Sequence, residues 1–204
     1  QLKQRGVIGC TPAARHHFLL IHTEEVTAAE VERLAALLSE EDEVEVAGQW
    51  EAVREVALDN LVVLCVPHYH HPALTAFNRV AHAQHWHWMP LAIGDDELWV
   101  GPRFESGEGC FECLGFRFYH QSPVVHYAYL QSDCHLSTHR ASWRQLLAAA
   151  ELLREEADAK EQRLTLVKRT GETTEREYHL LRPWPHCPTC RREQPVEEGV
   201  PVRL

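Results

Sequence analysis

Two pairs of cysteines with C-x-x-C spacing constrain the fold of this chain more than any other feature of its sequence. Cys110 and Cys113 form one pair, Cys187 and Cys190 form the other, and residues 114–186 lie between them. Such spacing lets two thiolates of one tight turn bind the same ion, and two such turns complete the tetrahedron of a structural zinc site. Four thiolates leave no coordination position for a substrate. The sequence therefore predicts one structural zinc ion that joins the C-terminal end of the chain to its middle.

The residues around each pair favour the turns that such a site needs. Gly107 and Gly109 precede the first pair and permit backbone conformations that other residues avoid. Pro185 and Pro188 restrict the backbone around the second pair. Alternatives stay open at this point. The neighbouring His186 can replace one thiolate, and the pairs can be unrelated thiols or a redox pair, which would lie at the mouth of a βαβ unit.

Composition and charge exclude several kinds of partner. The 204 residues carry a formal net charge of −10, which argues against binding to nucleic acid or to an anionic membrane surface. No apolar run approaches the ~20 residues of a transmembrane helix, and residues 1–5 lack the apolar segment of a secretory signal. The chain has seven cysteines, an odd number that cannot all pair in disulfides, and four of them have metal-ligand spacing. Both features indicate a reducing compartment. We therefore predict a cytoplasmic protein with no nucleic acid or membrane partner.

Strand-like and helix-like segments alternate in the first half of the chain, which predicts an α/β fold. Such alternation is typical of a parallel sheet with helices on both faces, and right-handed crossovers favour a Rossmann-like topology. Further along, Ser142 caps a predicted helix, and two strands form a predicted hairpin. The predicted strands are residues 18–21, 43–46, 61–66, 86–91, 164–168 and 175–181, and the predicted helices are residues 23–38, capped by Thr23, 50–58, 72–85 and 142–160.

The loop after the first predicted strand lacks the features of a nucleotide site. A dinucleotide or ATP site of this type needs glycines there so that the backbone can approach phosphate. Residues 22–27 contain no glycine, and Glu24 and Glu25 place two carboxylates where phosphates would bind. We therefore predict a degenerate Rossmann-like unit over residues 16–105, followed by a zinc-clasped subdomain over residues 106–204.

Other residues suggest chemistry less specifically, and we assign no catalytic residue. The histidines of residues 68–87 can bind a metal, as a zinc-dependent hydrolase would require, or can be ordinary surface or interface residues. Cys134 with His135 and His139 lacks the signature of a catalytic cysteine. We interpret Cys10 and Cys65 as small packed residues, and Trp86, Trp88 and Met89 as the core face of one strand, with a ligand platform as the alternative. The candidates for a partner interface are Trp86, Trp88, Phe116, Phe118, Tyr119, Tyr127 and Tyr129.

Together, a degenerate Rossmann-like unit and two C-x-x-C pairs resemble the E1-like (ThiF-like) superfamily, in which such pairs hold a structural zinc. A narrower likeness rests on Val-Gly-Pro at 100–102, Gly-Cys-Phe-Glu-Cys-Leu at 109–114, Ser-Thr-His-Arg-Ala-Ser-Trp at 137–143 and Pro-His-Cys-Pro-Thr-Cys at 185–190. These segments resemble the E1-like subunits of azole-forming peptide synthetases and are most similar to the B subunit of the microcin B17 synthetase type. The likeness extends over residues 18–190.

This resemblance implies a subunit that binds neither ATP nor FMN and performs no chemistry alone. It would present the leader and core of a precursor peptide to an ATP-dependent YcaO cyclodehydratase, which converts Cys, Ser and Thr to azolines, and to a flavin-dependent dehydrogenase, which oxidises azolines to azoles. A second copy of the chain is a further expected partner. Residues 1–15 resemble the end of the winged-helix element that binds the leader, followed by a linker. The alternative is an active adenylating enzyme that activates a peptide or protein C-terminus.

Overall fold

One mixed sheet lies at the centre of the computed structural model, which describes residues 16–57, 59–94, 97–121, 141–170 and 173–190. Across the sheet the strand order is β2-β1-β3-β4-β5-β6-β7. The first four strands pair in parallel, and the last three continue the same sheet in antiparallel pairing. The predicted α/β fold, its parallel unit and its terminal hairpin are therefore confirmed. Within the described residues the strands are β1 (His17–His22), β2 (Glu43–Gln49), β3 (Asn60–Val66), β4 (His87–Ile93), β5 (Glu97–Val100), β6 (Arg163–Thr170) and β7 (Thr173–Leu180).

Helices cover both faces of this sheet. In the described ranges they are α1 (Ala28–Leu38), α2 (Pro72–Ala83), α3 (Phe111–Gln121) and α4 (Trp143–Ala157). Helices α1 and α4 pack on one face, around Leu20 and Met89, whereas α2 and α3 pack on the other, around Ile21 and Trp88. Neighbouring residues of a strand point to opposite faces, so a strand covered on both sides is apolar throughout. None of the described helices has the length and apolar character needed to cross a bilayer.

The first helix begins one turn later than predicted. Its N-cap is Thr27 and not Thr23. The backbone amide and hydroxyl of Thr27 donate to Glu30 Oε2 at 3.2 and 2.6 Å, as in a capping box. The amide of Thr23 instead donates to the carbonyl oxygen of Cys65 at 3.2 Å, which extends the pairing of β1 with β3. The prediction of a Thr23 cap was wrong because Thr27 is followed three residues later by a glutamate that completes the cap.

The predicted helix over residues 50–58 is also wrong. A short 3₁₀ turn covers Trp50–Ala52, and residues 53–57 have neither helical nor strand structure. Val53 and Val56 are partly buried against the core on the α2 side of the sheet. Because the branched side chain of valine is restricted at χ1, valine favours extended over helical backbone. The packing of Val53 and Val56 against the sheet therefore outweighs the weak helical pattern of residues 50–58. The other predicted elements are present with shifted ends, including α4, which has Ser142 as its N-cap.

Candidate metal centre

The four cysteines of the two predicted pairs come together in the structure. The sulfur atoms of Cys110, Cys113, Cys187 and Cys190 all lie within 4.8 Å of one another. The Sγ–Sγ separation is 3.9 Å within the first pair. Across the pairs it is 3.5 Å from Cys110 to Cys187 and 3.4 Å from Cys113 to Cys190. Residues far apart in sequence therefore form one cluster, and of its members only Cys190 is more than slightly exposed.

The first pair lies at the start of α3, next to the chain that leaves β7. The amide of Cys113 donates to the carbonyl oxygen of Cys110 at 3.0 Å, which closes the turn between them. Gly107 has a φ of +90°, a conformation that side chains disfavour. A Cβ atom on Gly109 would lie 3.0 Å from Cδ2 of Leu181. A larger residue at 109 would therefore require the Leu181 side chain to shift.

The second pair is attached to the first through Trp184. The amide of Cys187 donates to the carbonyl oxygen of Trp184 at 3.1 Å, which forms the turn before the second pair. The indole of Trp184 stacks on the ring of Phe116 in α3, with ring centroids 3.6 Å apart and an interplanar angle of 12°. The amide of Trp184 also donates to Cys113 Sγ at 3.4 Å. The loop after β7 thus contacts α3 through Trp184 as well as through the cysteines.

Asn78 of α2 supports the first pair from within the Rossmann-like unit. Its side chain is buried, at 1% exposure, and Oδ1 accepts the amide of Phe111 at 2.9 Å. That amide is at the N-terminus of α3, where backbone donors have no partner within the helix. Sequence analysis missed Asn78, because an asparagine within an amphipathic helix has no spacing signal that would mark it.

The sulfur geometry fits a tetrahedral metal ion. A Zn–S distance of about 2.3 Å in a tetrahedron places the sulfur atoms about 3.8 Å apart. The separations of 3.4, 3.5 and 3.9 Å are close to this value. They are much longer than a disulfide bond of about 2.05 Å. The four cysteines can therefore hold a metal ion.

The electrostatics of the cluster also favour a bound cation. Hydrogen bonds from the Cys110 thiol and from the Trp184 amide lower the pKa of the Cys113 thiol to about 5. The same contact with Cys113 raises the pKa of Cys110, and burial raises the pKa of Cys190 to about 12. Neighbouring thiolates repel one another, so all four ionise together only when a cation lies among them.

A cavity lies at the carboxyl ends of β1, β3 and β4, where Rossmann-like proteins bind nucleotides. Glu25 and Glu30 line it, and the described lining contains no Lys or Arg. Burial raises the pKa of both carboxyls, but hydrogen bonds outweigh it. Glu25 accepts hydrogen bonds from its own amide and from His71, and Glu30 accepts them from Thr27 and Ala141. As a net result, the pKa of each carboxyl lies below its ordinary value. Two ionised carboxylates thus replace the glycines and amides that would bind phosphate.

Only one of these two carboxylates was identified from the sequence. Glu25 was predicted to repel phosphate and does line the cavity, whereas the predicted Glu24 is exposed and is not part of the lining. Glu30 was missed because it lies beyond the loop, in the first turn of α1. Its Oε1 accepts the amide of Ala141 at 2.6 Å, a contact that sequence spacing cannot indicate.

Two histidines of the histidine-rich stretch, His71 and His85, have structural partners. In the part of the chain that the structure describes, the four cysteines are the one group of three or more potential ligands close enough to share an ion. Nδ1 of His71 accepts the amide of Ala73 at 3.2 Å and caps α2. Nδ1 of His85 lies 3.0 Å from the hydroxyl of Ser106. The hydrolase hypothesis therefore gains no support from the described residues.

The remaining candidates are core residues, residues of α3 such as Phe116, or residues outside the described ranges. Trp86 and Trp88 are 9% and 2% exposed and belong to the core on the α2 side, and Met89 is buried on the opposite face. They are not interface residues of the described structure. Cys65 is buried, as predicted. Residues outside the described ranges are Cys10, Tyr127, Tyr129, Cys134, His135 and His139.

The structure combines a sheet that is parallel in its first four strands and antiparallel in its last three with a cluster of four cysteines. No family model and no curated protein matches the sequence. Solved structures do match the fold. A heterocyclase in complex with substrate and cofactor gives a TM-score of 0.66 at 19% identity, over 86% of this chain and 25% of its own length.

Two further solved structures share this fold. The heterocyclase TruD gives a TM-score of 0.62 at 22% identity, over 86% of this chain and 27% of its own length. The E. coli microcin synthetase McbBCD complex gives a TM-score of 0.60 at 10% identity, over 88% of this chain and 71% of the matched chain. The chain thus spans about a quarter of the length of the two heterocyclases, and at these identities the similarity is one of fold.

Proposed function

We propose that this chain is the E1-like scaffold component of an azole-forming peptide synthetase. The fold that it shares with two heterocyclases and a microcin synthetase supports this class of function. The observation that carries the proposal is the pairing of that fold with a nucleotide position lined by Glu25 and Glu30. A chain that keeps the architecture but fills its phosphate site with carboxylates is suited to binding partners and not to adenylation.

In this proposal the chemistry belongs to partner subunits. The chain helps to present a precursor peptide to an ATP-dependent YcaO cyclodehydratase, which forms azolines from Cys, Ser and Thr, and to a flavin dehydrogenase, which oxidises them to azoles. It pairs with a second copy of itself in the assembly. In the same proposal residues 1–15, outside the described ranges, are the end of a winged-helix leader-binding element followed by a linker.

We further propose that the metal is zinc and that its role is structural. Cys110, Cys113, Cys187 and Cys190 would fill all four positions of a tetrahedral ion, which leaves none for a substrate. Bound zinc would supply charge compensation for the four thiolates. The chain's own contribution is to hold the loop after β7 against α3, which gives partner subunits a rigid surface.

Reconstitution of the synthetase tests the scaffold role. With the YcaO protein, the precursor peptide and ATP present, addition of this chain should raise the rate of azoline formation by at least ~10-fold. The reason is that holding peptide and enzyme together raises their effective concentration. Mass spectrometry measures the loss of one water per ring. A precursor without its leader serves as the control, and cyclisation at the full rate in the absence of this chain would contradict the proposal.

The adenylating alternative predicts that ATP stabilises the protein, and we expect that it does not. A nucleotide at a hundred times its Kd would stabilise the folded state by ~2.7 kcal/mol, which is readily visible in a thermal melt. Glu25 and Glu30 should instead repel the phosphates, so the melting temperature should be unchanged by ATP and magnesium. Removal of the metal by a chelator provides the positive control for the assay. A clear ATP-dependent shift would favour the adenylating enzyme.

A further inference from the structure

The middle residues of the two C-x-x-C turns are joined by a hydrogen bond. Glu112 lies between the two cysteines of the first turn, and Thr189 lies between those of the second. The hydroxyl of Thr189 donates to Glu112 Oε2 at 2.7 Å. This contact links the two turns directly and involves no sulfur atom.

The carboxylate of Glu112 has a second partner on a different element. Its Oε1 accepts from Nε of Arg79 in α2 at 2.9 Å. The Glu112 side chain is 13% exposed, whereas that of Arg79 is 67% exposed. Each carboxylate oxygen therefore serves a different neighbour, and Glu112 connects the second turn to both the first turn and α2.

The two contacts of Glu112 differ in expected strength. An ion pair with a largely exposed arginine contributes little, because water and salt screen it. The Thr189 contact is short and partly buried, and a hydrogen bond to a charged group is stronger than one between neutral groups. The link between the turns should therefore outweigh the link to α2.

Without the hydrogen bond between Thr189 and Glu112, the position of the second C-x-x-C turn would depend more heavily on the contacts of its cysteine sulfur atoms. Residues 181–190 form no helix or strand. Their described polar contacts with the rest of the chain, apart from those between cysteine sulfurs, include the Trp184 amide with Cys113 Sγ, the hydrogen bond from the Leu181 amide to the Gln162 carbonyl oxygen, and the hydrogen bond from Thr189 to Glu112. Trp184 holds the beginning of this segment, before the second pair. Glu112 contacts the end of the segment at Thr189, which lies between Cys187 and Cys190.

We infer that Glu112 and Thr189 act as a latch that positions the second C-x-x-C turn for metal binding. This inference rests on the proposed metal site. The latch keeps Cys187 and Cys190 near their bonding positions when one metal–sulfur bond opens, so that the bond re-forms before the ion leaves. Loss of groups that orient metal ligands typically weakens metal binding by about 10- to 100-fold.

Zinc release to a chromogenic chelator tests the latch in the metal-loaded chain. Thr189→Val removes the hydroxyl at nearly constant volume and should accelerate release by about 10-fold or more. Glu112→Ala should do the same, and the double variant should be no faster than either single one, because the two residues share one contact. Thr189→Ser keeps the hydroxyl and should behave as the wild type.

Further variants separate the latch from general destabilisation. Arg79→Ala should change the release rate by less than about 2-fold, given the exposure of that pair. Thr174→Val, on an exposed position of β7, controls for the added apolar group. The Co²⁺-substituted variants should retain the absorption of four thiolate ligands, which shows that the coordination is intact. Glu112→Gln keeps an acceptor oxygen and should have a smaller effect than Glu112→Ala, which provides a test if Thr189→Val does not fold.

Two results would overturn the latch. The first is wild-type release rates in Thr189→Val and Glu112→Ala at full zinc content, which leaves the metal site itself intact. The second is additive acceleration in the double variant, since independent effects do not describe one contact. A wild-type chain that binds neither zinc nor Co²⁺ would remove both the latch and the metal site on which it rests.

Discussion

Cys187→Ser is expected to release the metal and to destabilise the C-terminal part of the chain. Zinc binding to four thiolates contributes an apparent ~10–16 kcal/mol in zinc-finger peptides, which is comparable with the entire stability of a typical domain. The loop after β7 has no helix or strand of its own, so a bound ion would add strongly to the contacts that Trp184 and Thr189 make with α3. Metal analysis should show loss of zinc, and the melting temperature should fall by at least ~10 °C.

A matched cysteine variant gives the control for this experiment. Cys65 is equally buried but lies in β3, away from the cluster. Cys65→Ala should retain zinc and should lose only the modest stability that a small core truncation costs. A Cys187→Ser protein with full zinc content and wild-type stability would show that the four-cysteine site is wrong.

Trp88→Ala is expected to cost ~3–5 kcal/mol of stability, the range for removal of a buried aromatic side chain. Trp88 is 2% exposed. Its ring lies 5.2 Å from that of Phe77, 4.8 Å from Phe104 and 6.2 Å from Phe111, measured between centroids. The substitution would therefore leave a cavity among residues from α2, α3 and the chain that precedes the first cysteine pair. Urea unfolding measures the change.

The same substitution at an exposed tryptophan tests whether burial is the cause. Trp143 begins α4 and is 58% exposed. Trp143→Ala should alter the free energy of unfolding by no more than ~0.5 kcal/mol. Equal losses at the two positions would contradict the assignment of Trp88 to the core, and would place Trp143 in a contact that the described residues do not show.

The central strands β1 and β3 were predictable because covering the sheet on both faces leaves a simple signal, whereas β5 was not predicted as a strand. β1 and β3 contain the uninterrupted apolar runs 18–21 and 61–66, which is the pattern of strands buried on both sides. Helix starts were less predictable. Thr23 and Thr27 are both acceptable caps in isolation, and the choice between them depends on the reach of Glu30 and on the pairing of Thr23 with β3.

The metal cluster was predictable from spacing, but its surroundings were not. C-x-x-C spacing places two thiolates on one turn, and this local property can be read directly from the sequence. Asn78, Glu112 and Thr189 act through contacts between elements distant in sequence. No periodicity or motif marks such residues, because their importance arises only when α2, α3 and the loop after β7 pack together.

Sequence alone determined the α/β character, the two C-x-x-C pairs and the lack of a phosphate-binding loop, because each depends on residues close together in the chain. Tertiary structure decided that β6 and β7 extend the same sheet, and that Glu30 joins Glu25 in the cavity. It also decided that the second cysteine turn is held to the first by Glu112 and Thr189. These features depend on long-range packing, whose free energy is set by burial and hydrogen-bond geometry and not by local propensity.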